Sequence, residues 1–206
     1  MVTLFLAALV AFEAASVQAP STTVPIQPSV DSARQRQALG ELTVCLAERR
    51  PRWAREMLAL PYLSDAQSRV AARVTMGSDS TCIGAEDEVT MRTSGIVAGL
   101  TQHFLRADIQ REDFRRVATA LNTLTPLNVS EDFALCIAAR DPAAARDLAL
   151  SDYGSAGEAR AARQLAGHIE SCTNPGEQLT VDQQALRALV STALYRGVSA
   201  VLRPRG

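Results

Sequence analysis

The sequence predicts an all-α protein: two homologous, disulfide-closed multi-helix repeats joined by a connecting helix. Three observations carry that expectation. Apolar residues recur at i, i+3/i+4 spacing between capping signals along much of the chain. Alanine is abundant, whereas 5 Phe, 3 Tyr and 1 Trp are the only aromatics among 206 residues. That composition suits close-packed helices better than a β-sandwich, which draws on β-branched and aromatic residues. The third observation is a cysteine-containing block that occurs twice.

Residues 41–106 align with 132–196, with one gap near 65–70. Cys45 matches Cys136, an offset of 91; past the gap Cys82 matches Cys172, an offset of 90. Between and beyond them, in order, Arg49 matches Arg140, Pro51 Pro142, Arg55 Arg146, Tyr62 Tyr153, Ser64 Ser155, Arg73 Arg163, Gly77 Gly167, Thr90 Thr180 and Arg106 Arg196. Alanine matches carry little weight in this composition; the Cys, Pro, Tyr-x-Ser and Gly matches carry most.

Each block reads as the same string of helices. The first helix spans about 41–49, or 131–140, with Ser130 as an N-cap in the second block. Pro51 and Pro142 then restart the helix, since proline fits the first helical turn, and Asp141 is a good cap. Ser64-x-x-Gln67 and Ser155-x-x-Glu158 are matched capping boxes that open the third helix. Thr90 and Thr180 are candidate caps for the fourth, with Thr180-x-x-Gln183 as a further box. The fourth helix carries Ile96, Val97, Leu100, Phe104 and Leu105, or Leu186, Leu189, Val190 and Leu194, as a core stripe. Residues 107–130 supply the connection. There Phe114, Val117, Ala118, Leu121 and Leu124 form one amphipathic helix, ended by Thr125-Pro126.

The chain divides accordingly into 1–19, 20–31, 32–106, 107–130 and 131–206. Val2 to Phe12 form an apolar run too short to span a bilayer, which needs about 20 residues. Small residues follow it, as in a secretory signal peptide. Val17-Gln18-Ala19 fits the cleavage rule, and Ala14-Ala15-Ser16 is a second match. Residues 20–31, rich in Pro, Ser and Thr, read as a flexible tether. In an exported chain an even cysteine count favours disulfides, and four cysteines allow three pairings. The duplication favours Cys45–Cys82 with Cys136–Cys172, because each block then closes itself. Each closure is worth about 4 kcal/mol in the chain-entropy model.

The strings CLAERRPRWAREML, CIAARDPAAARDLALSDYGS and ALRALVSTALYR resemble a functionally uncharacterised group of exported alphaproteobacterial proteins of sphingomonad type. The resemblance covers most of the chain after residue 19 and is clearer in the second block. The first block departs from it where Phe104-Leu105-Arg106 replaces Leu194-Tyr195-Arg196. It implies a helical fold and a location in a Gram-negative envelope, most simply the periplasm. It implies no reaction and no ligand.

Composition excludes several chemistries. The chain has no lysine, which removes Schiff-base catalysis, lysine-activated nucleophiles and the P-loop lysine. With 21 basic against 22 acidic side chains it lacks the cationic surplus that nucleic-acid binding needs. There is no CxxC and no clustered Cys/His spacing for zinc, and no GxSxG or HExxH motif. His103 and His168 face Ala193 and Ser78 in the alignment, so no imidazole is shared by the blocks. Glu86-Asp87-Glu88 lacks the alternating ligands and glycine of a calcium loop. Trp53, matched to Ala144, reads equally as core filler or as an exposed contact aromatic.

No catalytic residue, metal or cofactor is therefore expected, and no transmembrane helix after residue 19. The expected role is a non-enzymatic interaction or structural module whose partner is another envelope protein. The alternative is a small-molecule or peptide binder with an arginine-lined groove between the repeats. Its candidate anion-binding residues are Arg49, Arg140, Arg55, Arg146, Arg73 and Arg163. The plainer reading of those arginines is intra-repeat ion pairs and helix C-terminal charges.

Overall fold

Helices account for every regular element of the computed structural model, which describes residues 33–76, 82, 93–109, 114–174, 179 and 181–202. The expected signal segment, the tether, Gly77, Glu86-Asp87-Glu88, Thr90, Glu177 and Thr180 lie outside those residues. The helices are α1 (Ala33–Arg49), α2 (Pro51–Ala59), α3 (Asp65–Met76), α4 (Thr93–Asp108), α5 (Phe114–Leu121), α6 (Val129–Arg140), α7 (Pro142–Leu150), α8 (Ala156–Ala166) and α9 (Gln183–Leu202). A 3-10 turn at Glu170–Cys172 follows α8.

The helix breaks follow local chemistry. Pro51 and Pro142 open α2 and α7. Asp141 caps α7 by accepting from Ala144 N at 2.9 Å, whereas Arg50 before α2 makes no side-chain cap. Both capping boxes form. Ser64 Oγ accepts from Gln67 N at 3.2 Å and Ser155 Oγ from Glu158 N at 3.1 Å. The box side chains reach one residue further back than the cap itself. Gln67 Oε1 accepts from Leu63 N at 2.9 Å and Glu158 Oε2 from Gly154 N at 2.6 Å.

Four boundaries differ from the sequence expectation. Helix α1 starts at Ala33 rather than near Glu41, because the residues before Glu41 include good helix formers and no proline. Asn128, not Ser130, caps α6: its backbone is extended and its Oδ1 accepts from Glu131 N at 2.9 Å. Asp182 Oδ1 accepts from Ala185 N at 2.7 Å and so caps α9 in place of Thr180. Helix α5 stops at Leu121, before Thr125-Pro126. There Asn122 Nδ2 and Thr123 Oγ1 donate back to Ala118 O and Ala120 O, both at 3.0 Å, in the side-chain competition that ends helices.

Two disulfides join Cys45 to Cys82 and Cys136 to Cys172, with Cα atoms 5.7 Å apart in both. Each ties the first helix of its half to the segment after the third. No free cysteine remains. Structural disulfides belong to oxidising compartments, so the chain fits an exported rather than a reducing setting.

Helices α4 and α9 make the most extensive packing contact in the molecule. Around them a single core gathers Met57, Leu100, Leu105, Ile137, Leu148, Leu165 and Leu194. Trp53 is half-buried against that core. Helix α9 is long and apolar enough, by length and composition, to cross a membrane. Here it is the central helix, packed by α4, α5, α6, α7 and α8, and it buries a charged residue, Arg187. No other helix among the described residues meets that length and composition.

Candidate functional site

The widest opening is a cleft of about 1130 Å³ between α1 and α4, walled at one side by Asp152 and Tyr153 from the other half. Its floor exists because α1 and α4 pack closely. A Cβ on Gly99 would collide with the Thr43 side chain, and Thr43 Oγ1 is itself turned back onto Leu39 O and Gly40 O at 2.9 Å. Val44, 42% exposed, is the apolar residue on the α1 rim, and Ala107 is exposed on the α4 rim. Gln102 Nε2 donates to Ser151 O at 3.3 Å, and Arg106 pairs with Asp152 at 3.3 Å, so both residues hold the far wall. The remaining charges are Glu41, Glu48 and Arg49, which leaves the lining of mixed sign. His103 also lines the cleft, its ring edge-on to Phe104 at 5.3 Å.

The matched positions of the second half are closed over. There α5 lies against α9 and α6. Leu135 stands for Val44 and is 5% exposed; Ala193 stands for His103 and is 2% exposed. Gly197 stands for Ala107 and is buried, and a Cβ on it would come within 3.1 Å of Leu121 and 3.2 Å of Val117. The Tyr62 turn, counterpart of the Tyr153 turn, is stitched down by Glu131. That buried carboxylate accepts from Tyr62 N at 3.0 Å and Leu127 N at 2.9 Å, and pairs with Arg196 at 2.5 Å. Asn128 Nδ2 adds a bond to Tyr62 O at 2.8 Å. In the first half Gly40 stands in the place of Glu131, and nothing lies within 4 Å of where its Cβ would be. The cleft is open where that carboxylate is missing.

The six sequence-nominated arginines do not converge. Only Arg49 lines the cleft. Arg49, Arg73, Arg140 and Arg163 are exposed in the last turns of α1, α3, α6 and α8, where positive charge favours the helix dipole. Arg55 lies over the Phe104 ring at 4.2 Å, with Asp108 at 3.6 Å. Arg146 lies over Phe114 at 5.0 Å and pairs with Asp147 at 3.2 Å. Two buried arginine sites went unnoticed in the sequence. Arg187 pairs with Glu158 at 2.7 Å, donates to Ser151 O and stacks on Tyr153 at 3.9 Å. Arg196 binds Glu131 and donates to Thr125 O at 3.0 Å. Both tie helices together from inside the fold.

His168, at the end of α8, offers its carbonyl to Ser171 Oγ at 2.9 Å. No group of three metal-capable side chains gathers among the described residues. Burial, and secondarily the charge of Asp182, push the Tyr62 hydroxyl above the usual phenol range. The folded chain therefore favours neutral Tyr62. That contribution is full below the ordinary phenol value of about 10 and fades as pH rises above it. No protein-family profile, curated protein or solved structure matches this chain.

Proposed function

We propose that this protein is an exported, periplasmic scaffold of a Gram-negative bacterium, built from two homologous helical repeats, that works by holding another envelope protein rather than by catalysis. The observation that carries the reading is the open α1/α4 cleft, set against its filled counterpart under α5. The scaffold around it is rigid. Each half is closed by a disulfide, and the far wall is tied by Arg106–Asp152 and Gln102–Ser151. A rigid groove with an apolar strip and balanced charge suits a polypeptide better than a small anion. The duplication explains why one groove is filled and one open, since a repeat buries one face and leaves another free.

A second reading, a peptide or small-molecule binder between the repeats, is favoured by one observation: the cleft takes its walls from both halves. Of the nominated arginines only Arg49 contributes to it. Crosslinking in the native envelope separates the two. The expected result is a defined crosslinked protein that is lost in Val44→Asp and kept in the exposed control Arg160→Glu. Unchanged crosslinks in Val44→Asp, with a small molecule released from the purified protein, would favour the second reading.

A further inference from the structure

We infer that residues 20–32 of this same chain form the cis occupant of the α1/α4 cleft, lying in it as an extended strap that a partner must displace. The inference rests on the reading of the cleft as a docking surface. The first argument is connectivity. In the second half the element over the groove is α5, which precedes α6 directly in the chain. The segment that precedes α1 in the same way is 20–32. At the repeat offset of 91, Val117 and Leu121, the residues of α5 that press on Gly197, correspond to Ile26 and Val30.

The second argument is reach. The segment enters the fold at Ala33, seven residues and about 10 Å before Gly40 at the cleft. Thirteen residues extend to roughly 40 Å. The cleft runs along α1 from Gly40 to Arg49, about 14 Å of helix. Doubling back and filling it is within range.

The third argument is chemistry. From Pro20 to Val30 the segment carries no charge, offers Val24, Ile26 and Val30, and contains Pro25-Ile26-Gln27-Pro28. Proline at that spacing favours the polyproline conformation, which docks with little entropy loss in shallow grooves bearing aromatic rings. The cleft supplies Tyr153 and His103 as rings, Val44, Gly99 and Ala107 as its apolar strip, and a lining of mixed sign. A covalent tether gives such a segment a high effective concentration, so modest contacts suffice.

Site-specific photo-crosslinking of the purified chain that retains residues 20–206 tests this. Val44→p-benzoylphenylalanine places the reactive group on the rim, and the same residue at Ala107 gives an independent reading. The expected result is a link within one chain to residues 24–30. Its yield should be unchanged on dilution and lost when Ile26→Asp and Val30→Asp are combined. Links that form only between chains, or only to an added envelope protein, overturn the strap but leave the docking reading standing. No link above that from the exposed control position Val129 overturns both.

Discussion

Gln67 and Glu158 stand at the same place in the two halves, yet the halves are held together differently. Gln67 is neutral and fully buried; its Nε2 donates to Met57 O at 3.2 Å, and the matching position on the central helix is the apolar Val97. Glu158 is charged, and Arg187 stands where Val97 does, 1% exposed and bonded to both Glu158 and Ser151 O. The two changes belong together. A buried carboxylate is tolerable only with a hydrogen-bonded counter-charge, and a buried guanidinium only with an acceptor. The same contrast recurs at the inter-half contacts, where Glu131 and Arg196 seal one side from within and Arg106 and Asp152 meet at the surface of the other. The second half is thus the electrostatically bound, covered one, and the first the apolar, open one.

The largest way to break this contrast is to remove one member of the buried pair. Arg187→Leu should cost about 3–5 kcal/mol, because it strands the Glu158 carboxylate in the core. Combining Glu158→Gln with Arg187→Val transplants the first half's solution and should recover most of that loss. Urea denaturation of the singles and the double measures both. A double variant no better than the worse single would mean that the two halves are not built on interchangeable plans.

A smaller effect tests the covered against the open groove. Gly197→Leu drives a side chain into Val117 and Leu121, and overpacking of that kind costs about 1–3 kcal/mol. Ala107→Leu adds the same atoms at an exposed rim and should stay within about 0.5 kcal/mol. Equal losses at the two positions, read by thermal unfolding, would show that α5 and the open cleft are not counterparts.

Much of this was legible in the sequence, for identifiable reasons. The disulfide pairing followed from two matched cysteine pairs, and the helices followed from Pro51, Pro142 and the two serine boxes, all local signals. The cleft did not, because it depends on what is missing: a carboxylate at Gly40 and a covering helix over α1 and α4. Arg187 was also readable in principle. The joint change from Gln67/Val97 to Glu158/Arg187 is a compensating pair, but the alignment was read for identities, and compensation appears only at differences. The conserved-looking arginines misled in the opposite sense, since Arg49, Arg73, Arg140 and Arg163 recur at helix ends, where the dipole alone suffices to explain them.

The subtlest contrast lies in the turns before α3 and α8. Leu63 and Gly154 occupy matched positions and both adopt positive φ, 58° and 75°. The conformation is imposed from both sides. Ser64 N donates to Pro61 O at 3.1 Å and Ser155 N to Asp152 O at 3.2 Å, while Gln67 and Glu158 hold the N–H of Leu63 and Gly154. Glycine meets that demand without a Cβ clash; leucine bears a left-handed penalty of about 1–2 kcal/mol. Leu63 is 49% exposed and so recovers little by packing. Leu63→Gly relieves the strain but widens the unfolded ensemble, which leaves a net gain of about 0.5–1 kcal/mol. Leu63→Asn keeps a side chain tolerated at positive φ and should gain a similar amount. Gly154→Leu should lose about 1–2 kcal/mol by the same arithmetic in reverse. Opposite signs at the two positions in chemical denaturation follow only if the two turns share one geometry, because a generic glycine effect would move both substitutions in the direction of fewer glycines.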